Sequence, residues 1–192
     1  MTASSGSIFE TSHIASSIRA EDALEFFNVH GLFYQENAEI GKLVDGLYKT
    51  NRVRSDETSL EYFKPTLCKD ARLRSILDAY PIASKFRQAW GIVPNTYYSW
   101  DNPSPKVDDA IIVYMLGPRS QGKCCAGSHK RTIEVDQPSD DGTYHLKDEC
   151  LESYTKVDFC MVDGGVLLIH PVLAHRTEIG RSMIFGAWKE AI

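Results

Sequence analysis

The chain has 192 residues, 43% of them hydrophobic and 24% charged, with 8 prolines and 13 glycines. That composition excludes disorder, collagen and coiled coil, and the length suits one globular core. The formal charge of −5, from 21 basic and 26 acidic residues, argues against a nucleic-acid partner, which needs a basic face.

Residues 1–17 are rich in Ser and Thr without sustained periodicity, which predicts a flexible N-terminal tail. In residues 20–30, Ala23, Leu24 and Phe27 share one helical face and Gly31 follows as a stop, so a helix precedes a short strand at Leu32-Phe33-Tyr34. Ile40, Leu43, Val44, Leu47 and Tyr48 recur at helical spacing. Residues 66–79 and 82–90 continue in that style, the second carrying Ile82, Phe86 and Trp90. After Gly91 the pattern changes to strands, at 92–100, 110–116, 131–135, 157–162, 165–170 and 182–188. Helices first and strands afterwards predict an α+β chain whose helices back a sheet, not alternating βαβ units.

Five cysteines, Cys68, Cys124, Cys125, Cys150 and Cys160, form an odd set without a CxxC pair. Reduced thiols and a cytoplasmic location are the expectation. The first residues lack a basic patch followed by an apolar core, and no apolar run approaches the roughly 20 residues of a bilayer span. Residues 117–123, GPRSQGK, carry the glycine and lysine positions of a phosphate-cradling loop and leave nucleotide binding as a distant alternative. Cys124 follows where a magnesium-binding hydroxyl belongs and Gly127-Ser128 where a helix should run, so a glycine-containing hairpin between strands is the preferred reading.

The richest stretch is 163–188, where His170, His175 and Arg181 crowd one corner. An imidazole can bind iron and a planar guanidinium can grip a carboxylate bidentately. The run Gly165-Val-Leu-Leu-Ile-His-Pro-Val-Leu-Ala-His175, the turn Ala126-Gly127-Ser128-His129-Lys130, and the opening helix that ends in His30-Gly31 together resemble the phytanoyl-CoA dioxygenase family of Fe(II)/2-oxoglutarate-dependent oxygenases. The resemblance implies a single double-stranded β-helix (jelly-roll) domain over 18–192, backed by N-terminal helices. It also implies Fe(II) and 2-oxoglutarate as cofactors, His175 and Asp101 as iron ligands, Arg181 as the anchor of 2-oxoglutarate, and a small lipophilic substrate. The family's first two ligands form a His-x-Asp pair, and its counterpart here is Ser99-Trp100-Asp101, so Ser99 stands where the first histidine belongs. A serine hydroxyl is a poor iron(II) ligand. The expectation is therefore a degenerate, partner-dependent subunit of a complete oxygenase, as a hetero- or homodimer, with an autonomous dioxygenase using Asp101 and His175 as the alternative. His129 is expected to pin its turn, and Cys160 to pack in the core.

Overall fold

The computed structural model describes residues 7–53, 55, 58–90, 95–105, 109–138 and 142–189; side chains are described in these ranges except at 83–90 and 137–138. Helix α1 (Ala23–His30) ends at Gly31, whose φ of 74° lets its N–H reach back to the Phe27 carbonyl. Strand β1 (Leu32–Glu36) leads to α2 (Ala38–Lys49), where the Asn37 side chain accepts from the N–H groups of Glu39 and Ile40. Two shorter helices follow, α3 (Leu60–Leu67) and α4 (Ala71–Asp78); the latter is capped by Asp70, which accepts from Arg72 N–H. The helical pattern expected over 66–79 is thus two helices broken at this cap.

The strands are β2 (Ile82–Trp90), β3 (Tyr98–Ser99), β4 (Ala110–Leu116), β5 (Ser120–Ala126), β6 (Val135–Pro138), β7 (Tyr144–Leu146), β8 (Thr155–Met161), β9 (Gly165–Ile169), β10 (His175–Ile179) and β11 (Ser182–Trp188). They form a five-stranded sheet in the order β1-β9-β4-β11-β2 and a six-stranded sheet in the order β6-β7-β3-β10-β5-β8. Neighbouring strands pair antiparallel throughout the described residues. The two sheets and the helices on one of them make an α+β jelly roll.

Residues 82–90 form a strand, where helix was expected. Ile82, Phe86 and Trp90 are spaced by four, which is one helical turn and also two strand repeats, so the spacing does not distinguish the two states. Of the strand expected over 92–100, residues 92–94 lie outside the described residues and Tyr98–Ser99 is extended. The strand expected at 131–135 begins at Val135. The expected hairpin at 117–123 is a crossing between the two sheets: β4 belongs to one and β5 to the other. Arg119, at φ 64°, makes the turn, and Lys123 lies within β5 with its ammonium 2.8 Å from Asp158 on β8. Among the described residues a single 3-10 turn, Ser128–Lys130, follows β5, and no α-helix supplies the dipole of a phosphate loop.

Registers show how side chains divide between the two faces of the five-stranded sheet. Phe33, Leu168, Val113 and Phe185 are aligned across β1, β9, β4 and β11 and are fully buried beneath the helices. Phe185 meets Phe63 of α3 at 5.8 Å between ring centroids, and Phe33 meets Phe26 of α1 at 6.2 Å. One residue further along, Tyr34, Leu167, Tyr114 and Ile184 are aligned on the opposite face and point between the sheets.

The N-terminal segment closes the seam between the sheets at their β1 and β8 edges. Ile14 N–H donates to the Tyr34 carbonyl at 3.0 Å, Glu36 N–H to Ser12 at 2.8 Å, and Cys160 N–H to Thr11 at 2.8 Å. The Arg72 guanidinium holds this strap through the Ile14 carbonyl at 3.1 Å and the Gln35 side chain at 2.6 Å. Ile14 is fully buried, so residues 7–17 of the expected tail are docked by a side chain that a Ser/Thr-rich composition does not advertise.

Helix α2 approaches the turn before β9 closely enough that a Cβ on Gly41 would lie 1.8 Å from the Asp163 carbonyl oxygen, whereas a Cβ on Gly46 would meet nothing within 4 Å. Urea denaturation should therefore separate the two helical glycines. Gly41→Ala is expected to cost about 2 kcal/mol or more through backbone displacement. Gly46→Ala should gain about 0.5–1 kcal/mol from helix propensity.

Candidate functional site

His175 opens β10, and its cross-strand partners are Tyr98 on β3 and Cys124 on β5. Tyr98 in turn pairs with His145 on β7. Directly opposed residues project from the same face, so His145, Tyr98, His175 and Cys124 form one row on the inner face of the six-stranded sheet. Tyr114 meets this row from the five-stranded sheet.

The contacts there are tight. The Leu173 carbonyl lies 2.9 Å from His175 Nδ1; a carbonyl only accepts, so Nδ1 carries the proton. Nε2 is then an acceptor, and the Tyr114 hydroxyl donates to it at 2.7 Å. The same hydroxyl oxygen accepts from Trp100 Nε1 at 2.7 Å and lies 3.3 Å from the Tyr98 hydroxyl. The Tyr98 ring lies 4.3 Å from the His175 ring between centroids and 5.9 Å from Trp100. Tyr98, Tyr114 and His175 are at most 1% exposed, and Trp100 is 6% exposed. Burial pushes the imidazole pKa down to about 4, with the bond to Leu173 opposing the shift, and drives the Tyr114 phenol well above its ordinary range. A neutral imidazole and a neutral phenol result, as their hydrogen bond requires.

The first of the expected ligand positions is out of phase with this arrangement. Tyr98 shares the face of His175 and Ser99 is one residue removed from it, while Trp100 and Asp101 follow β3 in a bend, from which the Trp100 indole reaches Tyr114. The Ser99 hydroxyl donates to the Asp101 carbonyl at 2.8 Å, and an Asp101 carboxylate oxygen accepts from Asn102 N–H at 2.7 Å. The backbone N–H groups of Trp100 and Asp101 both turn toward the Pro171 carbonyl. Arg181 lies elsewhere, in the turn before β11, where its guanidinium covers the Tyr48 ring of α2 at 5.2 Å and approaches Asp45 at 3.6 Å. That is the helix-bearing side of the five-stranded sheet, whereas His175 faces the space between the sheets. Arg181 and His175 therefore do not converge on one hollow. The inner positions of β11, in step with Ile184, are Ser182, Gly186 and Trp188, with no basic residue.

Iron(II) held by His175 would need the Nε2 lone pair together with carboxylate or imidazole donors beside it. Nε2 is engaged by Tyr114, and its neighbours on that face are two phenols, an indole and the Cys124 thiol, which burial holds protonated. Among the described residues no group of three His, Cys, Asp or Glu side chains is placed to hold a metal ion. His145 faces the same row with its Nε2 buried and lacking a hydrogen-bond partner, but it lies two strands, or roughly 10 Å, from His175, with Tyr98 between them. The residues present do not fit an iron and 2-oxoglutarate centre. His129 does pin its turn, through Nε2 donating to the Asn28 carbonyl at 3.1 Å, and its ring lies 5.0 Å from that of His170.

No family model matches the sequence, and no curated protein matches it. Solved structures do match in fold. HygX from Streptomyces hygroscopicus, with nickel and 2-oxoglutarate bound, superposes with a TM-score of 0.53 at 13% identity, over 89% of this chain and 87% of that one. SnoK, a non-heme alpha-ketoglutarate-dependent carbocyclase from nogalamycin biosynthesis, gives 0.51 at 11%, over 92% and 85%. EctD from S. alaskensis, with 2-oxoglutarate and 5-hydroxyectoine, gives 0.50 at 16%, over 93% and 79%. The chain has the fold of these proteins. At such identities the likeness is one of architecture.

The sequence reading missed Tyr98, Trp100 and Tyr114. A register for β3 would have placed Tyr98 beside His175 and Ser99 away from it, but a two-residue strand carries too few side chains to declare its own phase.

Two outcomes follow from the buried network. Tyr114→Phe removes its hub and leaves Trp100 Nε1 and His175 Nε2 unsatisfied, so chemical denaturation should show a loss of about 3 kcal/mol. His175 has its folded pKa near 4, below the ordinary 6.5, so its contribution is complete above pH 6.5 and is lost as pH falls toward 4. A shift of that size corresponds to roughly 3 kcal/mol. Urea midpoints across that window should fall more steeply for the wild type than for His175→Gln.

Proposed function

We propose that this chain is a non-catalytic, partner-dependent subunit of a complete Fe(II)/2-oxoglutarate oxygenase acting in the oxidative tailoring of a small lipophilic metabolite. The observation that carries the reading is the hydrogen bond from Tyr114 to His175 Nε2, which commits the one imidazole the family resemblance offers as a ligand to a protein partner. The fold shared with HygX, SnoK and EctD supports an origin among such oxygenases. Aromatic side chains at the positions facing His175 support retention of the scaffold after loss of the metal chemistry. The sharing of a β-rich surface with a second oxygenase chain, as a heterodimer, belongs to this proposal. So does a reducing, cytoplasmic setting, which suits five cysteines that are all free thiols. Among the described residues no helix is long and apolar enough to cross a membrane. No observation favours nucleotide binding through residues 117–123.

Anaerobic calorimetric titration of the purified chain with Fe(II), with 2-oxoglutarate present, tests the loss of the centre. No saturable binding and no succinate release on admitting oxygen are expected. One-to-one micromolar binding with succinate release would instead establish the autonomous dioxygenase using Asp101 and His175. Coexpression with a complete oxygenase of the same genome should give a coeluting complex with higher succinate output than that oxygenase alone.

A further inference from the structure

The outer face of the six-stranded sheet carries a second cluster, behind the row that contains His175. Cys125 on β5 is the directly opposed partner of Lys156 on β8, and Lys156 Nζ donates to Cys125 Sγ at 3.3 Å. The ammonium is steadied from two other sides. It donates to the Leu151 carbonyl at 2.7 Å and sits 4.8 Å from the centre of the Tyr97 ring. The Arg176 guanidinium covers the same ring at 4.8 Å and pairs with Glu178 at 2.7 Å. Lys156 itself is exposed at the sheet surface while Cys125 is fully buried beneath it.

Two reacting atoms held 3–3.5 Å apart by surrounding structure form a near-attack pair, because the entropy of bringing them together is lost on folding and not during reaction. We propose that Cys125 and Lys156 form a sulfur–nitrogen crosslink, a sulfenamide, when the chain meets hydrogen peroxide. In the first step the thiol takes one peroxide oxygen: the O–O bond breaks, sulfur loses two electrons, and the products are a sulfenic acid and water. In the second, Lys156 as the free amine attacks sulfur; the S–N bond forms, the S–O bond breaks, and the departing hydroxide takes a proton from nitrogen as a second water. Each residue has then lost one hydrogen, and a thiol reductant reverses the bond.

Burial keeps the thiol largely protonated, while Lys156 and Arg176 draw it back toward thiolate. The first step is therefore slow at neutral pH and faster as the pH rises and the thiolate fraction grows. A water-sized oxidant is the class of reagent such a site admits, and bulky alkylating agents are excluded. Cys124, next along the strand, projects into the core on the other face, so it serves as an internal control. The crosslink would tie β5 to β8, the edge strand of its sheet.

The test is peptide mapping by mass spectrometry of the intact chain after graded hydrogen peroxide at mildly alkaline pH. Wild type should yield a peptide pair joined through Cys125 and Lys156, lighter by two hydrogens, restored by dithiothreitol and accompanied by a raised Tm. Lys156→Arg keeps the charge but offers no comparable amine, so it should stop at oxygen adducts of Cys125; Cys125→Ser should show neither product. A disulfide from Cys125 to Cys150, which packs against the same cluster, has the same mass change. Finding it in wild type and in Lys156→Arg alike overturns the proposal. Oxygen adducts of wild-type Cys125 without crosslink, or no reaction there at all, overturn it too. None of these outcomes bears on iron binding, so the crosslink and the subunit reading are tested separately.

Discussion

The Tyr114 hydroxyl is where the two sheets are joined. It is reached from β4 on one side, and from β10 and the end of β3 on the other, and it satisfies an indole N–H and an imidazole nitrogen at once. Each of these buried polar atoms would be costly alone, and their mutual satisfaction turns that cost into a geometric constraint. The strands that carry them must hold a register in which 98, 100, 114 and 175 converge. The neutral state of His175 and the phase of β3 follow from that constraint.

The same constraint bears on function. A jelly roll that oxidises a substrate needs an inner surface with donors directed at a metal and space beside it. Here the inner surface around His175 is occupied by Tyr98, Trp100 and Tyr114, and the guanidinium expected at 2-oxoglutarate holds α2 against the outside of the sheet through Tyr48 and Asp45. The residues that resemble an oxygenase support the architecture: the glycine that starts β9, the turn with His129, and His175 itself.

Much of the architecture is legible along the chain. The apolar stripe of α2, the runs of β4, β9 and β11, and the stop at Gly31 each have a local physical cause that acts within a few residues. Illegible elements are those whose signal is shared or absent. The spacing of Ile82, Phe86 and Trp90 satisfies two periods, β3 is too short to show one, and the strap at 7–17 is held by backbone hydrogen bonds to both sheets, a buried isoleucine and an arginine far away in sequence.

The sequence by itself determined the class of the fold, helices backing a strand-rich second half, and the presence near its end of a histidine and an arginine in a familiar order, because periodicity and composition are local properties. Only the tertiary structure decided that His175 meets two phenols, that Ser99 is out of step with it, and that Arg181 faces a helix. Those facts depend on which strands pair and in which register, and a shift of one residue in register exchanges the inside of a sheet for its outside.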